Sequence, residues 1–253
     1  MRVPLIAGNW KMNMTIPEAV ELVNGIKIGL RWPEDVDVVV APPFTSLKMV
    51  SEVAKDSYIA VSAQNVHHEE KGAYTGEVAA SFIKDAGANY VIIGHSERRQ
   101  YCNETDELVN KKVRIALKNE LKPIVCVGET LEQREQGNFV EVIEKQLSVG
   151  LEDLTQVLAS ELVIAYEPVW AIGTGKVATV TQIEEVHEKI RAFLAKNFSE
   201  DVANSVRILY GGSVKAENSK EILSLPNVDG ALVGGASLNS AGFIEIIKSL
   251  PPR

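Results

Sequence analysis

No apolar run in this chain approaches the length of a membrane span, and its first residues, MRVPLIAGNWK, hold neither a signal-type apolar core nor a small-residue cleavage site. A cytoplasmic protein with no membrane partner is expected. Basic blocks are missing too: lysine and arginine are scattered, and the net charge is −8. That argues against a nucleic-acid surface. It leaves room for a small anionic ligand, because a local site can be positive on an acidic protein. Two cysteines, Cys102 and Cys126, are too few for a disulfide framework. Cys126, inside KPIVCVG, reads as a small buried strand residue. No CxxC or HExxH occurs, and the adjacent His67 and His68 would point to opposite faces of an extended chain, a poor metal pair. Neither a metal nor an organic cofactor is expected.

Linkers, low-complexity tracts and shifts of composition are also absent, so residues 1–253 read as a single domain. With 45% apolar and 24% charged residues, the chain has the profile of a soluble globular protein with a substantial core. What recurs instead is a short apolar, β-branched run: PLIAG from Pro4, DVVVA from Asp37, YIAVSA from Tyr58, NYVIIG from Asn89, KPIVCVG from Lys122, LVIAY from Leu162, RILY from Arg207 and GALVG from Gly230. These runs are continuous rather than alternating, as expected for parallel strands covered on both sides.

Amphipathic segments of helical period separate the runs. Thr15-Ile16-Pro17-Glu18 pairs a hydroxyl with a carboxylate three residues later, the pattern of a helix entrance. Thr181-Gln182-Ile183-Glu184 repeats it, and Asn103 to Asp106 reads as another entrance. Eight strand–helix units in about 250 residues predict an α/β fold, a closed (β/α)8 barrel of eight parallel strands ringed by helices. An open doubly wound sheet is the runner-up, but no GxGxxG follows the first strand.

The unusual residues stand directly after the strands: Asn9 and Lys11 after the first, His95 to Arg99 after the fourth, Glu167 after the sixth, Gly211-Gly212-Ser213 after the seventh and Gly234-Gly235 after the eighth. In a barrel these ends share one face, where barrel enzymes place their active sites. Glu167 is followed by Val169, Trp170 and Ile172, apolar neighbours expected to desolvate it and raise its pKa toward that of a useful base. His95 precedes a short helix whose N-terminal dipole would keep the ring neutral. Lys11 offers a positive charge to an oxyanion, and Asn9 a neutral donor. Gly173, Gly211, Gly212, Gly234 and Gly235 would let backbone N–H groups approach an anion, with a helix start after Gly234-Gly235. His187 is expected on the exposed face of its helix, without a functional part. A base, a neutral imidazole, an ammonium and a phosphate cradle suit proton transfer beside a carbonyl, as in an aldose–ketose isomerisation.

The segments AGNWKMN (7–13), AQNVH (63–67), GAYTGE (72–77), GHSERR (94–99), YEPVWAIGTGK (166–176), YGGSV (210–214) and GALVGGASL (230–238) together resemble triosephosphate isomerase, in the family's order and over essentially the whole chain. This family is itself a standard illustration of a tuned carboxylate–imidazole pair and of loop closure. The resemblance implies a TIM barrel that interconverts dihydroxyacetone phosphate and D-glyceraldehyde 3-phosphate in glycolysis and gluconeogenesis. Glu167 would abstract the proton, His95 would act as electrophile and proton shuttle, and Lys11 and Asn9 would stabilise negative charge. Glu97 would orient them by pairing with Lys11. Gly173, Ser213, Gly234 and Gly235 would bind the phosphate.

The resemblance further implies a lid, Pro168 to Ala178, with Glu129 and Tyr210 as partners of its open and closed forms. Val177 stands where the far hinge often has threonine. A homodimer is implied as well, the loop around Thr75 entering the neighbour near Lys11 and Met14, with an Arg98–Glu104 salt bridge bracing that region. Two alternatives remain: a barrel isomerase acting on a larger sugar phosphate, disfavoured by short loops, and a catalytically silent phosphate-binding barrel, disfavoured by Asn9, Lys11, His95 and Glu167 occurring together.

Overall fold

The computed structural model describes residues 2–30, 35–174 and 176–251. All eight apolar runs form strands: β1 (Leu5–Asn9), β2 (Asp37–Ala41), β3 (Ile59–Ala63), β4 (Tyr90–Ile93), β5 (Lys122–Val127), β6 (Val163–Tyr166), β7 (Arg207–Tyr210) and β8 (Gly230–Val233). Each pairs in parallel with the next, and β8 pairs with β1 to close the barrel. The expected (β/α)8 architecture is therefore what the chain adopts.

Successive side chains of a strand point to opposite faces, and here both faces are buried. Leu5, Ala7, Val39, Ile92, Ile124, Cys126, Val163, Ala165 and Leu209 belong to an inner cluster, while their neighbours Ile6, Val38, Val40, Val91, Val125, Ile164 and Ile208 belong to a larger one with the surrounding helices. That double burial explains why the runs read as unbroken; Cys126 is a buried strand residue as expected, and it falls in the inner cluster. Each buried Leu, Ile or Val contributes about 1.5–3 kcal/mol, so a polar residue among them calls for a specific partner. At the N-terminal mouth such partners are present: buried Asp229 accepts from Arg2 Nε at 2.6 Å and from the Ile208 N–H at 2.9 Å, and also pairs with Arg191.

Two helix entrances match expectation. Glu18 accepts from the Thr15 N–H at 2.8 Å at the start of the helix Ile16–Gly29, and Thr105 caps Asp106–Lys118. The third differs. The helix Val180–Asn197 is capped by Thr179, whose N–H donates to Gln182 Oε1 at 2.9 Å, so it begins before Thr181. Two overlapping Thr-x-x-(Gln/Glu) patterns occur there, and the chain uses the earlier.

His187 also departs from expectation. It is fully buried, on the same stripe as Ile183, Val186, Ile190 and Leu194. The exposed face was expected, but the three-and-four spacing from Ile183 and to Ile190 puts it on the apolar face. Burial pushes its pKa down to about 4, against a smaller upward pull from the Asn227 carbonyl, 3.2 Å from Nδ1.

Candidate functional site at the C-terminal mouth

Glu167 is held by backbone before its side chain is considered. Its N–H donates to the Val127 carbonyl at 2.7 Å, and the Gly211 N–H donates to the Tyr166 carbonyl at 2.7 Å, so β6 stays pinned between β5 and β7 where it leaves the barrel. The approach is close enough to dictate glycine: a Cβ on Gly128 would lie 1.8 Å from the Glu167 carbonyl oxygen, and one on Gly211 2.8 Å from Glu167 Cγ. Gln146 locks Gly128 in turn, accepting its N–H at 2.8 Å and donating to its carbonyl at 3.1 Å. Gly128 and Gln146 were not singled out in the sequence. A glycine ending KPIVCVG was the available signal; Gln146 left none.

The carboxylate of Glu167 is buried but not bare. Oε1 lies 2.9 Å from His95 Nε2, and Oε2 accepts from the Ser96 N–H at 2.9 Å. Burial, the largest single influence, raises the Glu167 pKa; His95, the Ser96 amide and Lys11 together outweigh it, and the net shift is downward. The expected upward shift is thus corrected: the carboxylate faces donors rather than the apolar residues that follow it.

His95 shows the complementary correction. It caps the helix Ser96–Tyr101, and its Nδ1 accepts from the Glu97 N–H at 3.2 Å. With Nδ1 accepting, the ring proton stands on Nε2, aimed at Glu167, and this pairing works against the neutral ring expected from the helix terminus. Burial pulls the His95 pKa down most strongly, yet Glu167, with help from Glu97, carries the net shift upward.

Lys11 has a left-handed backbone, φ 52°, unusual for a lysine. Its N–H donates to Asn9 Oδ1 at 3.0 Å, its carbonyl accepts from Gln64 Nε2 at 2.8 Å, and its ammonium lies 2.6 Å from Glu97 Oε1. A Cβ built on Gly234 would sit 3.6 Å from Lys11 Cε, so the lysine stem runs beside the glycines after β8. The helix start anticipated after those glycines is a 3-10 turn, Gly235–Leu238, and an α-helix follows as Ser240–Lys248.

One cavity of about 570 Å³ gathers these elements: Asn9, Lys11, His95, Glu167, Gly173, Ser213, Gly234 and Gly235 all line it. Glu97 does not line it and stands behind Lys11. Lys215, unremarked in the sequence, also lines the cavity.

Beside the cavity, the segment after Glu167 is tied down at several points. Buried Glu129 accepts from Trp170 Nε1 at 2.8 Å and from the Tyr166 hydroxyl at 3.1 Å. Burial raises the Glu129 pKa against these donors. The Ser213 hydroxyl donates to the Ala171 carbonyl at 2.8 Å. Gly212 leaves room for Tyr210, whose hydroxyl a Cβ there would meet at 2.2 Å. Gly175, within the expected lid, lies outside the described residues.

Arg98 Nε lies 2.9 Å from Glu104 Oε1, the pairing expected near the Thr75 loop, and buried Lys112 joins the same carboxylate. His67 and His68 do not diverge as anticipated: their ring centroids are 4.4 Å apart, because the chain there is loop rather than strand. Among the described residues no group of three or more His, Cys, Asp or Glu side chains could hold a metal ion.

Fold and cavity together define a (β/α)8 barrel whose strand ends assemble an acid–base cluster beside a glycine-rich wall. Comparison with known proteins is more particular. The family model of triosephosphate isomerase matches residues 4–250. Among similar proteins are the triosephosphate isomerases of Chloroherpeton thalassium, 53% identical over 251 residues (98% of this chain, 99% of the relative), and of Acetivibrio thermocellus, 54% identical over 247 residues (98% of each). That of Citrifermentans bemidjiense is 52% identical over 248 residues, covering 98% of this chain and 99% of the relative. The chain belongs to the triosephosphate isomerase family.

Proposed function

We propose that this chain interconverts dihydroxyacetone phosphate and D-glyceraldehyde 3-phosphate, an intramolecular oxidoreduction of glycolysis and gluconeogenesis. The observation that carries the reading is the convergence of the Glu167 carboxylate, the His95 ring and the Lys11 ammonium on one glycine-walled cavity. Glu167 removes a proton from the carbon beside the carbonyl, and the electron pair moves to the carbonyl oxygen to form an enediolate. His95, through its Nε2–H, donates to that oxygen and passes protons between the two oxygens. Lys11 and Asn9 offset the developing negative charge, and Glu97 orients Lys11. Return of the proton to the neighbouring carbon by Glu167 completes the isomerisation.

Substrate has to separate Glu167 from His95, because the two are hydrogen-bonded without it. The freed carboxylate, in a site closed to water, loses the donors that hold its pKa down and becomes the stronger base. Backbone N–H groups of Gly173, Ser213, Gly234 and Gly235 hold the phosphate, the Ser213 hydroxyl exchanging its bond to Ala171. Pro168 to Ala178 acts as the lid, with Glu129 anchoring its near end and Tyr210 meeting its far end.

Residues 1–253 act as one domain, and two copies associate through the Thr75 loop near Lys11 and Met14. Large exposed apolar side chains, Met12, Tyr74, Phe82 and Tyr101 among them, support that association. Among the described residues no helix is long and apolar enough to cross a membrane; a cytoplasmic site of action is part of the same reading.

A coupled assay of glyceraldehyde 3-phosphate isomerisation by the wild type, Glu167→Gln and His95→Gln tests the proposal. Turnover abolished or strongly reduced in both variants supports it. A wild type that binds phosphate ligands without turnover points instead to the silent barrel.

A further inference from the structure

We infer that Gln64 is a positioning residue for Lys11, one that fixes the ammonium at the cavity without touching it. The inference rests on the proposed role of Lys11. Gln64 follows directly on β3, a strand that supplies none of the residues lining the cavity. Its side-chain amide nitrogen has two hydrogens, and both are committed to backbone: Nε2 donates to the Lys11 carbonyl at 2.8 Å and to the Ala41 carbonyl at 2.8 Å.

Those two acceptors differ in kind. Ala41 ends β2 and is fixed by the barrel; its carbonyl also accepts the Trp10 N–H at 3.1 Å. Lys11 lies in the loop after β1 with φ 52°, a conformation disfavoured for a residue with a long side chain and kept only where the surroundings enforce it. Asn9 Oδ1 holds the N–H of that residue at 3.0 Å, and Gln64 holds its carbonyl. The strained residue is therefore gripped at both of its backbone polar groups, and Gln64 ties one grip to the rigid end of the neighbouring strand.

The consequence for the ammonium follows from the length of the side chain. A lysine has a flexible four-carbon stem, and its charge goes where the backbone aims it. With Lys11 left-handed, the stem passes the glycines after β8 and the ammonium reaches Glu97 Oε1 at 2.6 Å. Relaxation of Lys11 to a common backbone conformation would swing the stem away from both. Both hydrogens of the Gln64 amide end on backbone carbonyls, so its side chain is fixed by these two bonds.

Two substitutions separate this role from space filling. Gln64→Met keeps the length and removes both donors; Gln64→Glu keeps the shape and sets a carboxylate against two carbonyl oxygens. Each is made in the wild type and in a Lys11→Met background, with kcat, KM and thermal midpoint measured for isomerisation of glyceraldehyde 3-phosphate, and the Gln64→Met protein is crystallised. The expected result is a loss of about tenfold to a hundredfold in kcat/KM for Gln64→Met, and a larger one for Gln64→Glu. In the Lys11→Met background the same substitutions should cost less than about threefold, because the residue they act through is gone. In the crystal, Lys11 should leave the left-handed region or its ammonium should leave Glu97. Equal losses in the two backgrounds, unchanged kinetics, or a Lys11 that keeps its backbone and its partner would each overturn the inference. A wild type without isomerase activity would refute the proposed reaction instead, and the crystal structure of the variant would then decide the Gln64–Lys11 link by itself.

Discussion

His95 Nε2 stands 2.9 Å from Glu167 Oε1, so the imidazole and the carboxylate share a hydrogen bond before any substrate is present. Each governs the ionisation of the other: the net pKa shift is upward for His95 and downward for Glu167, although burial acts in the opposite sense on both. The resting site thus holds its acid–base groups in a mutually satisfied state that a ligand must open.

Replacing Glu167 by glutamine removes the charge that raises the His95 pKa and leaves burial as the dominant influence. His95, followed by NMR titration, should move from above its ordinary value to below it. Isomerase activity should fall by about 10²–10⁴-fold, the usual worth of a positioned general base. An unmoved His95 titration would show that the pair does not control the ring.

Stability should depend on pH through His187. Its pKa falls from 6.5 unfolded to about 4 folded, so between those values the unfolded chain binds the extra proton. The stabilisation is complete above pH 6.5 and declines as pH falls toward 4. From pH 7 to pH 5 this one group should cost about 2 kcal/mol. Urea unfolding at the two pH values should show a correspondingly smaller decline in His187→Gln than in the wild type.

Gly128 and Gly211 flank the Glu167 backbone so tightly that alanine cannot enter without movement. Gly128→Ala, which sets a methyl against backbone, should cost at least about 1–3 kcal/mol in denaturant unfolding. Gly211→Ala, whose closest contact is Glu167 Cγ at 2.8 Å with the Tyr166 carbonyl oxygen at 3.2 Å, should lose less stability but about tenfold or more in kcat, through displacement of the carboxylate. An active, fully stable Gly128→Ala protein would contradict the close approach.

Trp170→Phe takes one of the two side-chain donors from the buried Glu129 carboxylate. Glu129 Oε1 would then keep only the Tyr166 hydroxyl, and losing the shorter of its two bonds should weaken the anchor by about 1–3 kcal/mol. Amide hydrogen exchange at Val169 to Ala171 should accelerate while exchange within β6 stays unchanged.

The proposed dimer predicts a sedimenting mass of twice 27.6 kDa at micromolar protein. A single 27.6 kDa species across the concentration series would remove the Thr75 loop from the account of the site.

Much of the site was legible because a barrel brings every strand end to one face: once eight runs are recognised, Asn9, Lys11, His95, Glu167 and the glycines after β7 and β8 must converge. Charge states were not legible in the same way. The neighbours of Glu167 in sequence are apolar, but its neighbours in space are His95 and the Ser96 amide, and the pKa follows the spatial ones. Thr179 and Thr181 each head a Thr-x-x-(Gln/Glu) pattern, and only the folded chain shows that the helix begins after the earlier one.

By itself the sequence determined the fold, because buried parallel strands and amphipathic helices leave local patterns of apolar residues that need no partner to be read. It also determined which residue types stand at the strand ends. The tertiary structure alone decided how those residues hold one another: the Glu167–His95 hydrogen bond, the glycines that admit Glu167 and the grip of Gln64 on Lys11. Each depends on distances of about 2–4 Å between residues remote in the chain, and no local pattern encodes a distance of that kind.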